Sequence, residues 1–206
     1  MQDQPTLAPI KCAILSLTDK SGLTDLGQGL DALSIKMLST GGTAKVLREA
    51  GVSITEVSNY TGSPEMLDGR VKTLHPKIHG GILNIRDNAE HQATLKKHGI
   101  EDIALVICNL YEFEKTISQP GITVDQAIES IDIGGVTLIR ASYKNHKYVT
   151  IIVDPADYPA LLEEMKNNNG ATTLPFRIKM AAKACALTAK YESAIANYFE
   201  KIKADI

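Results

Sequence analysis

Short runs of β-branched and aliphatic residues recur along this chain, separated by longer stretches in which apolar residues return every three or four positions. The runs at 11–17, 35–39, 53–57, 103–110 and 148–153 read as strands. Between and after them, 21–33, 43–50, 89–98, 124–130 and 155–167 read as helices, several opened by Ser, Thr or Asp caps. Strands that are apolar almost throughout, alternating with amphipathic helices, predict a mostly parallel sheet covered on both faces, a three-layer α/β sandwich.

Two stretches break the alternation. Residues 60–83 are rich in glycine, hold two prolines and two histidines, and show no period; Pro76 argues against an interior helix there. A loop of that length inside a compact domain is usually functional. Residues 174–202, rich in Ala, Lys and Leu and without Gly or Pro after Pro175, predict one long helix that packs across the domain or into a partner subunit. The whole chain, 1–206, reads as a single domain preceded by a polar tail over 1–10.

Composition narrows the classes of function. A chain of 206 residues with 44% hydrophobic and 22% charged residues can bury a core without staples. Its formal net charge of -2 gives no electrostatic reason to expect nucleic acid. The three cysteines, Cys12, Cys108 and Cys185, are odd in number and far apart, which suggests neither a disulfide framework nor a paired-cysteine zinc site. The longest apolar run, 103–108, is too short to span a bilayer. These features predict a soluble cytoplasmic protein without a membrane partner.

Candidate chemistry gathers where strands give way to helices. Ser16-Leu17-Thr18-Asp19-Lys20-Ser21-Gly22 follows the first strand, so free backbone N–H groups and Lys20 can hold an anion there; a plain capped helix start is the other reading. Ser39-Thr40-Gly41-Gly42-Thr43 repeats the arrangement after the second strand, with glycines that admit a close ligand and hydroxyls as further donors. Two such turns at the carboxyl edge of neighbouring strands point to a phosphorylated small molecule. The long loop adds Arg70, Lys72, His75, Lys77 and His79. The two histidines have the spacing of metal ligands on a helix, but no third ligand stands at a recognisable distance. Cys108-Asn109-Leu110-Tyr111 places an amide and a phenol at the same edge, and Asp132 precedes paired glycines, either as a helix cap or as a working carboxylate.

The motifs SLTDKSGL, STGGTAKVLREAG, GSPEMLDGRVKTLHPKIHGGIL, VICNLY, IDIGGVTLIRA, KNH and TAKYESAIANYF follow one another in order over nearly the whole chain. In these the sequence resembles the inosine monophosphate cyclohydrolases, which form the N-terminal domain of the bifunctional purine-biosynthesis proteins. The resemblance implies a methylglyoxal synthase-like fold, a homodimer, no cofactor and no metal. The implied reaction is dehydrative closure of a formamido-imidazole-carboxamide ribotide to inosine monophosphate. It also implies that Thr18, Asp19, Lys20, Thr40, Gly41, Gly42 and Thr43 contact phosphate and ribose. Arg70, Val71, Lys72 and Thr73 would meet the base, with Cys108, Asn109, Asp132, Ile133 and Gly134 completing the pocket. The implied catalytic set is Lys72, Tyr111, Asp132 and Lys144, with Lys144 and Asp132 moving protons. An unbroken helix from Asp132 would put Lys144 about 18 Å away, so either the helix ends near Arg140 and the chain turns back, which is the expectation, or Lys72 and Lys144 act from different sides of the pocket. The chain departs from the family pattern at Glu112, where proline is usual, and at Ser142 and Tyr143, where alanines are usual.

Two other readings share the fold. A methylglyoxal synthase-type lyase would need a different constellation around its base, and a regulatory nucleotide-binding module would have no need of Lys72, Tyr111, Asp132 and Lys144 together.

Overall fold

The structure is a computed structural model that describes residues 6–204. Its centre is a five-stranded sheet in the order β4-β3-β2-β5-β6, formed by β2 (Cys12–Ser16), β3 (Lys36–Ser39), β4 (Thr55–Glu56), β5 (Leu105–Cys108) and β6 (Thr150–Ile152), with every neighbouring pair parallel. Each predicted strand is present and shorter than its apolar run, because pairing stops where the flanking residues turn toward helices. Side chains alternate between the two faces. Ile14, Leu38, Val106 and Ile151 point into one core, which is completed by Ile78, Ile82, Leu138, Ile139 and Tyr191. Ala13, Leu15, Met37, Leu105, Ile107 and Ile152 point into the other, with Leu23, Leu26, Leu30, Leu47, Leu161 and Met165.

The helices that supply those residues form the outer layers. They are α1 (Leu23–Ala32), α2 (Gly41–Glu49), α3 (Val57–Thr61), α4 (Pro76–Leu83), α5 (Ala89–His98), α6 (Phe113–Ile117), α7 (Val124–Glu129), α8 (Gly134–Lys144), α9 (Tyr158–Asn167) and α10 (Leu174–Ala204). Helix α1 carries no side-chain cap, whereas Thr123 and Gln126 close a reciprocal capping box on α7. Helix α10 is continuous and lies against α8 and β6.

Four expectations change. Residues 60–83 are not one loop: α3 runs to Thr61, and α4 begins at Pro76. Proline is acceptable there because the first helical N–H has no partner to lose. The short α6 was not anticipated. Residues 1–5 of the expected tail lie outside the described residues, but Leu7–Pro9 form β1, paired antiparallel with β7 (Ala171–Thr173) in a second small sheet. Finally, α8 does not end near Arg140 but runs without interruption to Lys144, and Ser142 is absorbed by donating its hydroxyl to the Leu138 carbonyl at 2.7 Å. Among the described residues no helix is long and apolar enough to cross a membrane.

Candidate active site

The parallel register aligns three strand ends at one edge of the sheet: Leu15 pairs with Ser39, and Ser16 with Cys108. The chain winds from β2 toward β4 on one side and reaches β5 and β6 on the other, so β2 and β5 flank the point where strand order reverses. Ligands of open α/β sheets bind at such a point. A cavity of about 600 Å³ opens there.

One end of the cavity is made by the two turns singled out in the sequence. Thr18, Lys20, Thr40, Gly42 and Thr43 line it. Asn109, just past β5, holds the first turn in shape: its side-chain oxygen accepts the N–H groups of Thr18 and Asp19 at 2.7 and 3.1 Å, and its amide donates to the Asp19 carbonyl at 2.8 Å. Asp19 does not line the cavity; its carboxylate accepts from the Ser21 N–H and hydroxyl, which hold its pKa below the ordinary value. The Lys20 ammonium donates to the Thr18 carbonyl at 3.2 Å and lies 3.6 Å from where a side chain on Gly42 would begin. Thr40 stands at the start of α2 with no side-chain cap, which leaves the first N–H groups of that helix facing the cavity. The Thr43 hydroxyl is already committed, accepting from the Leu17 N–H and donating to the Leu17 carbonyl, so it joins β2 to α2 instead of serving as a free donor.

The other end brings together Tyr111, Ile131, Asp132, Ile133 and Gly134 with Lys72 and Thr73. Both readings of Asp132 hold. Its carboxylate accepts the Gly135 N–H at 2.7 Å, opening α8, and it lines the cavity. Burial raises its pKa above the ordinary value, against the pull of the Gly135 and Tyr111 N–H groups and the charge of Lys72. Gly135 is required by this contact: a Cβ there would lie 2.5 Å from the other carboxylate oxygen. Burial, then Asp132 and Glu129, raise the pKa of Tyr111, so its phenol stays a donor. The Lys72 ammonium sits beside Gly41, 3.9 Å from where a Cβ would stand, between the two ends.

Other expected residues fall elsewhere. Gly41 and Val71 line a smaller neighbouring hollow, which shares Thr40 and Lys72 with the cavity. Cys108 is fully buried, with its thiol against the Gly135 carbonyl; burial pushes its pKa up, and it does not line the cavity. Lys144 is exposed at the far end of α8, about 18 Å of helix away from Asp132, and does not line the cavity. The expected Asp132–Lys144 pair therefore does not form within one chain. His75 is the cap of α4, its Nδ1 accepting the Lys77 N–H at 3.1 Å. Glu129, Asp68 and Ile128 line the cavity without having been anticipated, because nothing in their local sequence marks them. Tyr191 was also missed: its hydroxyl accepts the Asp132 N–H. Its signals are its place in the motif TAKYESAIANYF and in the apolar stripe of α10 with Ala184, Thr188 and Ile195, neither of which points to Asp132.

Comparison with known proteins agrees with this architecture. The MGS-like domain model matches residues 22–137, and the AICARFT/IMPCHase bienzyme model matches residues 142–206. The chain is 53% identical over 197 residues to the bifunctional purine biosynthesis protein PurH of Neisseria meningitidis, covering 96% of this chain and 37% of that one. It is 53% identical over 192 residues to PurH of Ruegeria pomeroyi, covering 93% and 36%. It thus spans just over a third of the length of these curated relatives. The crystal structure of ForH superposes with a TM-score of 0.80 at 31% identity, covering 92% of this chain and 99% of that one. In sequence and in fold, the chain belongs to the MGS-like domain family.

Proposed function

We propose that this chain is an inosine monophosphate cyclohydrolase, closing 5-formamidoimidazole-4-carboxamide ribotide to inosine monophosphate with loss of water. The observation that carries the reading is a single cavity with a cationic, amide-rich turn pair at one end and Asp132, Tyr111 and Lys72 at the other. The IMPCHase family match and the purine-biosynthesis names of the relatives support it.

The nucleophile is a carboxamide nitrogen, poor until a proton leaves it. The Asp132 carboxylate, made more basic by burial, takes that proton as the nitrogen bonds to the formyl carbon. Negative charge then grows on the former formyl oxygen. Lys72 and the Tyr111 hydroxyl are the donors that meet it, already oriented before reaction. That oxygen takes up the first proton and then a second, released from the formamido nitrogen, as its bond to carbon breaks; water leaves, and the former carboxamide nitrogen keeps its one remaining proton in the aromatic ring. Both reacting groups belong to one substrate, so anchoring its phosphate at Lys20 and α2 holds the arms in the cyclising conformation. Lys144 has no part in these steps within one chain. The reading carries with it a cytoplasmic homodimer that handles a small ribotide without a cofactor.

Incubating the purified chain with the formylated ribotide should produce the hypoxanthine absorbance at a rate proportional to enzyme. No product at any enzyme concentration would refute the proposal.

A further inference from the structure

Lys20, Arg70 and Lys72 are the cations that line the cavity, and they are not equivalent. Lys20 lies against Gly42, on the phosphate side, and Lys72 lies beside Gly41, close enough to Asp132 for its charge to act on that carboxylate. Arg70 follows the left-handed residues Leu67, Asp68 and Gly69, which turn it toward α7 at the ring end. There its guanidinium is ion-paired and hydrogen-bonded to Glu129, the last residue of α7, and both side chains line the cavity while remaining more than 60% exposed.

That pairing bears on which ring substituent the site can hold. Arginine is the side chain best shaped to grip a carboxylate with two parallel hydrogen bonds. A free Arg70 would make the ring end a carboxylate receptor. A carboxylate at the imidazole 4-position has no N–H to attack the formyl carbon, so a ribotide carrying one is a dead-end occupant. Glu129 already supplies Arg70 with a carboxylate, and Asp132 adds a second acidic group nearby.

We propose that Glu129 is a specificity-determining residue: by occupying Arg70 it withdraws from the ring end the guanidinium that could grip a carboxylate with two parallel hydrogen bonds, so the cavity favours an uncharged carboxamide over a carboxylate at the same ring position. The inference rests on the ring-closing reading above.

The test uses two ribotides that cannot react because both lack the formyl group: 5-aminoimidazole-4-carboxamide ribotide and its 4-carboxylate counterpart. Their dissociation constants are measured by calorimetry on the wild-type chain, on Glu129→Gln and on Glu129→Gln/Arg70→Gln, with inosine monophosphate as a check that each variant retains its site. The wild type should prefer the carboxamide. Glu129→Gln should move the ratio about tenfold or more toward the carboxylate, the size of one freed charge-assisted hydrogen bond, and adding Arg70→Gln should reverse the gain. An unchanged ratio in Glu129→Gln, or a gain that survives loss of Arg70, overturns the proposal. If the wild type binds neither inosine monophosphate nor either ribotide, the ring-closing reading itself fails and takes this one with it.

Discussion

The hydroxyl of Tyr191 accepts the backbone N–H of Asp132 at 2.8 Å and faces the Ser130 carbonyl at 3.4 Å. Tyr191 belongs to α10, a helix about 46 Å long, and is itself buried. A hydrogen bond thus ties the region matched as bienzyme to the backbone of Asp132 in the region matched as MGS-like. The C-terminal helix helps to hold the backbone of Asp132 in place, although no residue of it lines the cavity.

Tyr191→Phe removes that hydroxyl and keeps the ring in the core. The Asp132 N–H then loses its partner in a part-buried place, at a cost of about 1–3 kcal/mol to folding. Turnover should fall by roughly tenfold with little change in KM, since the shift displaces the carboxylate and not the phosphate turns. Urea unfolding and steady-state kinetics on the same preparation check both. A variant that is less stable yet fully active would show that Tyr191 serves only the fold.

The titration of Asp132 gives a second outcome, with a definite sign. Burial raises its pKa above the ordinary 3.8, so the folded chain holds this proton to higher pH than the unfolded chain does. Ionisation therefore costs stability: nothing below the ordinary value, more as pH climbs through the raised one, and the full amount above it. Asp132→Asn carries no such cost. The difference in thermal midpoint, variant minus wild type, should grow over that window and be level on either side, while wild-type turnover rises over the same window as the base loses its proton. A difference that ignores pH would remove the buried-carboxylate argument.

The two turns proposed to hold phosphate were legible in the sequence because each is contiguous and directly follows a strand, so local order alone predicts its place. The five parallel strands were legible because burial on both faces demands apolar runs. Strands β1 and β7 left no such trace, being three residues each and, in β1, carrying Pro9. Pro76 was misread because it has the same composition signal at the first position of a helix as in the middle of one, and only position decides which applies. Lys144 was misplaced for a different reason: the motif shows which residues occur together in the family, not that they share a cavity within one chain. The Arg70–Glu129 and Asp132–Tyr191 contacts each join residues 59 apart, and no spacing rule reaches that far.

Asn109 offers the sharpest test of the phosphate end. Its amide uses both polar atoms, accepting from Thr18 and Asp19 and donating to the Asp19 carbonyl. Asn109→Asp keeps the acceptor, replaces the donor with an oxygen facing the Asp19 carbonyl, and adds a negative charge to the cavity lining. The turn should open and the phosphate be repelled, raising KM for the ribotide by roughly tenfold to a hundredfold, the worth of one or two charge-linked hydrogen bonds. On the ring-closing proposal the chemical step draws on Asp132, Tyr111 and Lys72, so kcat should change much less. Binding of inosine monophosphate should weaken far more than binding of inosine, which has no phosphate to anchor. Equal losses for nucleotide and nucleoside would mean that Asn109 supports the whole cavity and that the two turns do not grip phosphate.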